Sequence, residues 1–177
     1  MNIEITLAKP EDAPGMQKVF YESWLDTYPN TGAGVTREDI EDFYKDAFTE
    51  KTLVKRASVI ENSPPNIKRF VAKDGVKVVG VCRVVLHNDK NQLQAIYVLP
   101  EYLQKGIGTL LWNKAKTTFD FSKPSIVQVA VYNKRAIDFY KKIGFQETKK
   151  RFKDERFRMK SGSIIEEMEM VMPLKML

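Results

Sequence analysis

The stretch that most constrains this chain is PEYLQKGIGTLLWNKAK, residues 100–116. It follows an apolar run, QLQAIYVL, and opens an amphipathic helical pattern, so a strand, a loop with Gly106 and Gly108, and a helix succeed one another without a break. A helix N-terminus leaves backbone N–H groups unpaired and carries partial positive charge, so a loop whose amides converge there can hold a phosphate. Glycine lets the ligand come close, Lys105 adds positive charge, and the Thr109 hydroxyl can donate once the helix has begun. The same glycines could instead serve a tight turn with close helix-to-sheet packing, and spacing alone leaves both uses open. Two familiar phosphate loops are excluded. G-x-x-x-x-G-K-[ST] is absent, and G-x-G-x-x-G needs glycine at 111, where Leu111 stands, which disfavours ATP and dinucleotides.

Around this junction the hydrophobic period changes twice. Residues 2–7 alternate as a strand, and Ala13, Met16, Phe20, Trp24 and Thr27 then recur at helical spacing. TREDIEDFYKDAF opens with Thr36 and Asp39 as a capping box and carries Ile40, Phe43, Tyr44 and Ala47 on one face, which predicts a second helix with an acidic outer face. A third helix is expected over 52–60, before the prolines of NSPPN. IKRFVAK, the Asp74–Gly75 turn and VKVVGVCRVVLH read as a hairpin, and QLQAIYVL as a third strand. A helix over 108–120, a buried strand in PSIVQVAVY, a helix closed by Gly144, and final strands near 145–148 and 165–173 complete the order. The alternation implies a mixed sheet with helices on both faces. At 177 residues with 43% hydrophobic content, one domain is expected.

Composition narrows the function. A net charge of +6 and a sequence pI near 9.3 favour anionic ligands. Only KKRFKDERFRMK, residues 149–160, looks like a basic patch interleaved with aromatics; it reads as a solvated loop with its phenylalanines inward, or as a nucleic-acid surface. The lone Cys82 excludes an internal disulfide framework and argues against a cysteine zinc site; no metal is expected. The apolar runs fall short of a bilayer span, and IEITLA stands where a leader would carry a basic block, so a cytoplasmic protein without a membrane partner is expected.

IYVLPEYLQKGIGTLL resembles the acetyl-coenzyme A binding segment of the GCN5-related N-acetyltransferases (GNAT). Downstream, NKRAIDFYKKIGF is similar to that family's N-x-x-A-x-x-F-Y-x-x-x-G-F segment at Asn133, Ala136, Phe139, Tyr140, Gly144 and Phe145. The resemblance implies an α/β (α+β) single domain whose mixed, mainly antiparallel central sheet is flanked by helices. Residues 1–62 would supply the first strand and the acceptor-site helices, 66–99 the meander, 100–145 the coenzyme segment and 146–177 the last strands. It further implies an acetyl-CoA-dependent N-acetyltransferase. Ile96, Tyr97 and Val98 would offer backbone groups to the pantetheine arm and thioester, with the Tyr97 amide near the carbonyl oxygen. Gln104, Lys105, Gly106, Ile107, Gly108 and Thr109 would hold the pyrophosphate. Asn133 would bond the pantetheine or cap its helix, and Tyr140 would be the general acid. Leu103 departs from the Gln or Arg usual at its place, so weaker phosphate contact is expected, with Gln104 substituting.

Acetyl transfer needs a neutral amine, a polarised carbonyl and a protonated leaving thiolate. Tyrosine, at a reference pKa of about 10, can donate to a thiolate of about 8.5–9. The base is harder to find. Gln92 and Gln94 stand where many relatives carry a glutamate, which leaves Glu22 or Asp26 acting through water, the lone His87, or an amine that arrives neutral. ESWLDTYP is similar to a W-x-x-T-Y segment of bacterial polyamine and small-molecule acetyltransferases, so Trp24 and Tyr28 are expected to wall the acceptor slot. The acidic face of Glu38, Asp39, Glu41, Asp42 and Asp46 would attract a polycation. The acceptor expected is a polyamine or other small amine, transfer being direct within a ternary complex. The alternatives are a protein N-terminal or lysine amine, a noncatalytic coenzyme sensor and a nucleic-acid module. A homodimer would use the sheet edge near 128–132 or the final strand.

Overall fold

A computed structural model describes residues 2–174 of the chain. Its seven strands are β1 (Ile3–Leu7), β2 (Ile67–Asp74), β3 (Lys77–Leu86), β4 (Asn91–Val98), β5 (Ser125–Ala130), β6 (Gln146–Arg158) and β7 (Ile164–Met172). Five helices join them: α1 (Ala13–Thr27), α2 (Arg37–Phe43), α3 (Glu50–Glu61), α4 (Ile107–Ala115) and α5 (Lys134–Lys142). The sheet order is β1-β2-β3-β4-β5-β7-β6, antiparallel except between β4 and β5. This is the GNAT-like, mainly antiparallel mixed sheet expected from the sequence.

Close contacts fix the helices on the two faces. Gly15 of α1 lies so near the sheet that a Cβ there would meet the Val78 Cβ at 2.8 Å. On the opposite face a Cβ at Gly80 would meet Leu111 of α4 at 3.0 Å. Between these layers lies the main core, which includes Val19, Val71, Val81, Leu93, Leu111, Phe145 and Met170. A smaller cluster of Trp24, Tyr28, Val35, Ile40, Ala130, Met159 and Ile165 sits where α1 and α2 meet the end of β7.

The single parallel contact positions the site. β4 and β5 pair only from Asn91–Leu93 to Ser125–Val127 and then diverge. Asn91, 1% exposed, fastens the closed end: its amide nitrogen donates to the Asp120 carbonyl (2.8 Å) and Ser125 Oγ (3.2 Å), while its oxygen accepts from the Asp120 N–H at 3.1 Å. Just beyond, the β3–β4 register slips, leaving Gln94 as an extra residue between Leu93 and Ala95. Such a bulge bends and twists its strand. Bending β4 there carries it away from β5 and opens a cleft.

Four expectations need correction. The helix begun by the Thr36–Asp39 capping box ends at Phe43, short of Ala47, and Asp39 faces inward at 3% exposure, so it does not belong to the acidic outer face. The helix after Gly106 stops at Ala115 and passes through a 3-10 turn to Thr118, short of Asp120. KKRFKDERFRMK is no loop: most of it belongs to the long edge strand β6, whose register shifts between Glu147 and Arg151 and again between Lys153 and Arg158 break the alternation by which a strand is recognised. Finally, β5 and β7 are interior strands; the open edges of the sheet are β1 and β6, so neither edge considered for a dimer exists as such.

Candidate active site

The diverging strands enclose a cavity of about 410 Å³, lined by β4 from Gln94 to Val98, the loop after it, Asn133 and Tyr140 of the α5 segment, and Ser23, Thr27 and Tyr28 of α1. Sequence-distant groups singled out for coenzyme binding thus meet around one space.

Strand geometry decides which β4 amides face it. The Leu99 N–H donates to Val79 O at 2.9 Å, and the Tyr97 carbonyl oxygen approaches Gly80. With the two-residue alternation of an antiparallel ladder, the backbone groups of Tyr97 are therefore directed at β3, and those of Ile96 and Val98 at the open cleft. A β4 amide open to the cleft therefore belongs to Ile96 or Val98, and that of Tyr97, the one expected near the carbonyl oxygen, faces β3. Ser23 Oγ donates to the Val98 carbonyl at 3.1 Å, so α1 secures this strand end from the acceptor side.

At the helix junction, Gln104 (φ 60°) and Gly106 (φ 80°) both adopt the left-handed region, and Gly106 is the N-cap of α4 without a side-chain cap. The first backbone bond of α4 is Leu110 N–H to Gly106 O at 3.1 Å, so the amides of Ile107, Gly108 and Thr109 have no intrahelical acceptor. Nothing stands within 4 Å of the position a Gly106 Cβ would take. Such a cradle of unpaired amides fits a pyrophosphate. Leu103 and Gln104 line it; Lys105 turns aside, its ammonium donating to the Glu101 carbonyl at 2.8 Å and lying 4.8 Å from the Tyr102 ring centre. Asn133 caps α5 by accepting from the Ala136 N–H at 3.1 Å while it lines the cavity.

Four phenols converge at the inner end. Tyr28 and Tyr97 share a hydrogen bond of 2.8 Å, Tyr132 donates to the Tyr28 carbonyl at 3.0 Å, and Tyr140, 6% exposed, completes the wall. Burial, reinforced by the neighbouring phenol of Tyr97, raises Tyr140 well above the ordinary tyrosine value, so it is protonated at neutral pH. A phenol so held acts as a hydrogen-bond donor to a departing sulfur more readily than as a fully ionising acid.

The sequence reading missed one carboxylate. Glu167 of β7 lies opposite Ala130 of β5, and its charge is felt at Tyr28, Tyr97 and Tyr140. Burial raises its pKa, with Asp154 adding to the rise and Arg156 opposing it. A carboxylate so destabilised in its ionised form is a stronger base than a solvated one. No local motif marks it, because IIEEMEMVM reads as an alternating strand with three equivalent glutamates.

The earlier proton-relay candidates are engaged elsewhere. Asp26 Oδ2 accepts from Arg135 Nη2 at 2.6 Å, Glu22 pairs with Lys18 at 3.5 Å, and His87 bonds Gln92 at 3.1 Å at the closed end of the β3–β4 pair. Trp24 does not line the cavity; it packs in the small core, stacked on Phe43 at 5.3 Å and edge-on to Tyr28 at 4.7 Å. In β6, Arg156 bonds Asp154 and Arg158 bonds Glu155, and Lys150 pairs with Glu169 of β7, so part of the basic run is neutralised. Among the described residues no cluster of His, Cys, Asp and Glu suits a metal, and no helix is long and apolar enough to cross a membrane.

Comparison with known proteins places this arrangement in context. A family model described as an acetyltransferase (GNAT) domain matches residues 65–147. The chain is 28% identical over 151 residues to a spermidine N(1)-acetyltransferase of Thermoplasma acidophilum, covering 82% of this chain and 89% of that protein. It is also 28% identical to a probable N-acetyltransferase of Mycobacterium tuberculosis over 81% and 80% of the two chains. Among solved structures, the PaiA N-acetyltransferase of T. acidophilum, crystallised with coenzyme A, superposes with a TM-score of 0.72 at 23% identity, over 96% of this chain and 98% of that one.

Proposed function

The chain is a member of the GNAT family of N-acetyltransferases, and from that premise we propose that it moves the acetyl group of acetyl-CoA to a primary amine of a polyamine or similar small amino compound. The observation that carries the reading is the cleft between β4 and β5, with backbone amides on one wall and Tyr140 on the other.

In this reading the amides of Ile107, Gly108 and Thr109 hold the pyrophosphate, and the backbone of Ile96 and Val98 holds the pantetheine arm. Glu167, which stands outside the cavity lining but acts electrostatically on its tyrosines, accepts the proton of the incoming ammonium by way of water. The neutral amine then attacks the thioester carbonyl, a new C–N bond forms, and the charge on the carbonyl oxygen is met by a β4 N–H facing the cleft. When the C–S bond breaks, the departing sulfur takes a hydrogen bond from Tyr140 and leaves as the free thiol once the proton shed by the new amide nitrogen is returned to it. Holding both reactants together supplies much of the acceleration, since effective molarities of about 10⁵ M are reached by well-oriented pairs.

Two features support a cationic amine as acceptor. Tyr28 and Tyr97 offer aromatic surface to an ammonium, and Glu167 supplies negative charge beside them. The similarity to a spermidine N(1)-acetyltransferase points to the same substrate class. The test is release of free thiol from acetyl-CoA with spermidine, spermine, diamines, amino acids and a basic peptide, alongside Tyr140→Phe. Release that depends on a polyamine and falls in the variant supports the reading. Acetylation of the peptide alone would transfer it to protein amines, and tight coenzyme binding without release to any amine would make the chain a sensor.

A further inference from the structure

A second cavity, about 140 Å³, lies between α1, α3 and the sheet, on the face opposite α4, and it takes no part in the transfer described above. Its walls include Arg56 of α3, Arg69 of β2 and Arg83 of β3, the last two being direct cross-strand partners. No acidic side chain lines it, and none of the three arginines forms an ion pair among the described residues. Arg69 donates to Ser63 Oγ, but Arg83 Nε is buried with no hydrogen-bond partner. Gln17 of α1 also lines the space at 4% exposure, and no protein group among the described residues bonds its amide.

Three guanidiniums gathered without a counter-charge are costly, because each stays protonated and each repels the others. Burial and this mutual repulsion pull the pKa of both Arg69 and Arg83 downward, a sign of cations waiting for an anion. We propose that this cavity binds a small phosphate-class oxyanion, held by Arg56, Arg69 and Arg83 with Gln17 donating from α1. The size suits one such group, since a water in the liquid occupies only about 30 Å³. Planar guanidiniums present paired donors that match phosphate oxygens. α3 buries no residue fully, so an anion bridging its Arg56 to β2 and β3 fastens an otherwise lightly held helix to the sheet. Because α1 lines both cavities, the bound anion also braces the helix that carries Ser23 and Tyr28.

The experiment is thermal unfolding in inorganic phosphate, against sodium chloride of equal ionic strength, with coenzyme A saturating the first cavity and again without it. Phosphate is expected to raise Tm saturably, by roughly 5–10 °C at a hundredfold excess over Kd. Arg56→Gln, at an exposed position that does not endanger folding, is expected to weaken the phosphate affinity by about tenfold or more. Arg83→Met should abolish the saturable rise and, in phosphate-free buffer, melt no lower than the parent. A rise no larger than chloride gives would overturn the proposal, as would a rise unchanged in Arg56→Gln. A response seen only without coenzyme A assigns the phosphate to the α4 loop and overturns it equally. Should coenzyme A fail to bind at all, the Arg56→Gln comparison still decides this site separately from the transferase reading.

Discussion

The two walls of the cleft are built differently. The coenzyme wall consists of one strand end, the loop from Leu99 to Gly106 with the first turn of α4, and the start of α5, and it acts chiefly through backbone groups whose directions follow from a bulge at Gln94 and left-handed residues at Gln104 and Gly106. The acceptor wall is lined by side chains such as Tyr28 and Arg135 and is held by contacts from afar: Tyr28 to Tyr97 across 69 residues, Asp26 to Arg135 across 109 and, outside the lining itself, Asp39 to Ser161 across 122. A backbone site is written into a short contiguous segment and tolerates changes of side chain; a side-chain site is written nowhere in particular and rests on the whole fold. Substitutions should therefore separate the walls, with coenzyme and acceptor kinetics failing independently.

The largest effect is expected on the acceptor wall. Glu167→Gln removes the proposed base and should lower kcat/KM for the amine by about 100-fold or more at neutral pH, leaving the KM for acetyl-CoA in place. The parent's acid limb should lie above the ordinary glutamate value of 4.5, because burial raises this carboxyl. In the variant that limb disappears and the rate climbs with pH toward the acceptor's own pKa. Stability should move the other way. A glutamate whose folded pKa is raised favours the fold below its unfolded value and loses that contribution as pH rises through the folded value, so at pH 7 the variant should melt no lower than the parent. A pH profile unchanged from the parent would exclude Glu167 as the base. Next comes Tyr140→Phe, where the walls meet: loss of one hydrogen bond to a charged sulfur predicts a fall in kcat of about 10- to 100-fold. Both KM values should stay near the parent's, and a loss confined to KM would move Tyr140 from chemistry to binding.

This contrast also explains what the sequence could and could not show. The strand–glycine–helix junction, the Thr36–Asp39 capping box and Gly144 closing α5 (φ 106°) were legible because each is a local rule about caps and positive φ. The family resemblance rested on the same segments. Glu167 was hidden among alternating glutamates, and Asp26 was read as a free carboxylate because nothing near it announces Arg135. Trp24, given a role in the acceptor slot, stacks on Phe43 in the small core instead. Of β6 only the start, near 145–148, was read as a strand and the rest as a loop, since its two register shifts erase the period-two signal.

Asp39 tests whether the acceptor wall rests on such distant contacts. Burial alone would raise its pKa, but hydrogen bonds from Thr36 and Ser161 outweigh that and the net shift is downward from 3.8. Asp39→Ala leaves those donors without an acceptor and should cost about 2 kcal/mol at pH 7. A carboxylate with a depressed folded pKa stabilises above its unfolded value and loses this as pH falls through the folded one, so the gap between parent and variant should narrow below pH 3.8. Denaturant unfolding at pH 7 and at pH 3 measures it. The acceptor KM should rise while the coenzyme KM does not; if both rise together, the two walls are not separable.

The smallest effects belong to the coenzyme wall, and two neighbouring glycines distinguish backbone conformation from space. Gly106 has φ 80° with nothing within 4 Å of a would-be Cβ, so Gly106→Ala meets no obstacle and suffers only the left-handed penalty, about 1–2 kcal/mol. That strain shifts the loop and should raise the KM for acetyl-CoA with kcat nearly unchanged. Gly108 has no positive φ, and its Cβ would meet the Phe139 ring at 3.6 Å, an ordinary contact. Inside α4 an alanine is a better helix former by about 0.8–1 kcal/mol, so Gly108→Ala should leave the apoprotein as stable as the parent or more so. Any rise in its coenzyme KM then reports the methyl group standing where the ligand must approach. Equal destabilisation by both alanines would mean that the loop is held by packing, and the cradle of free amides would lose its claim on the pyrophosphate.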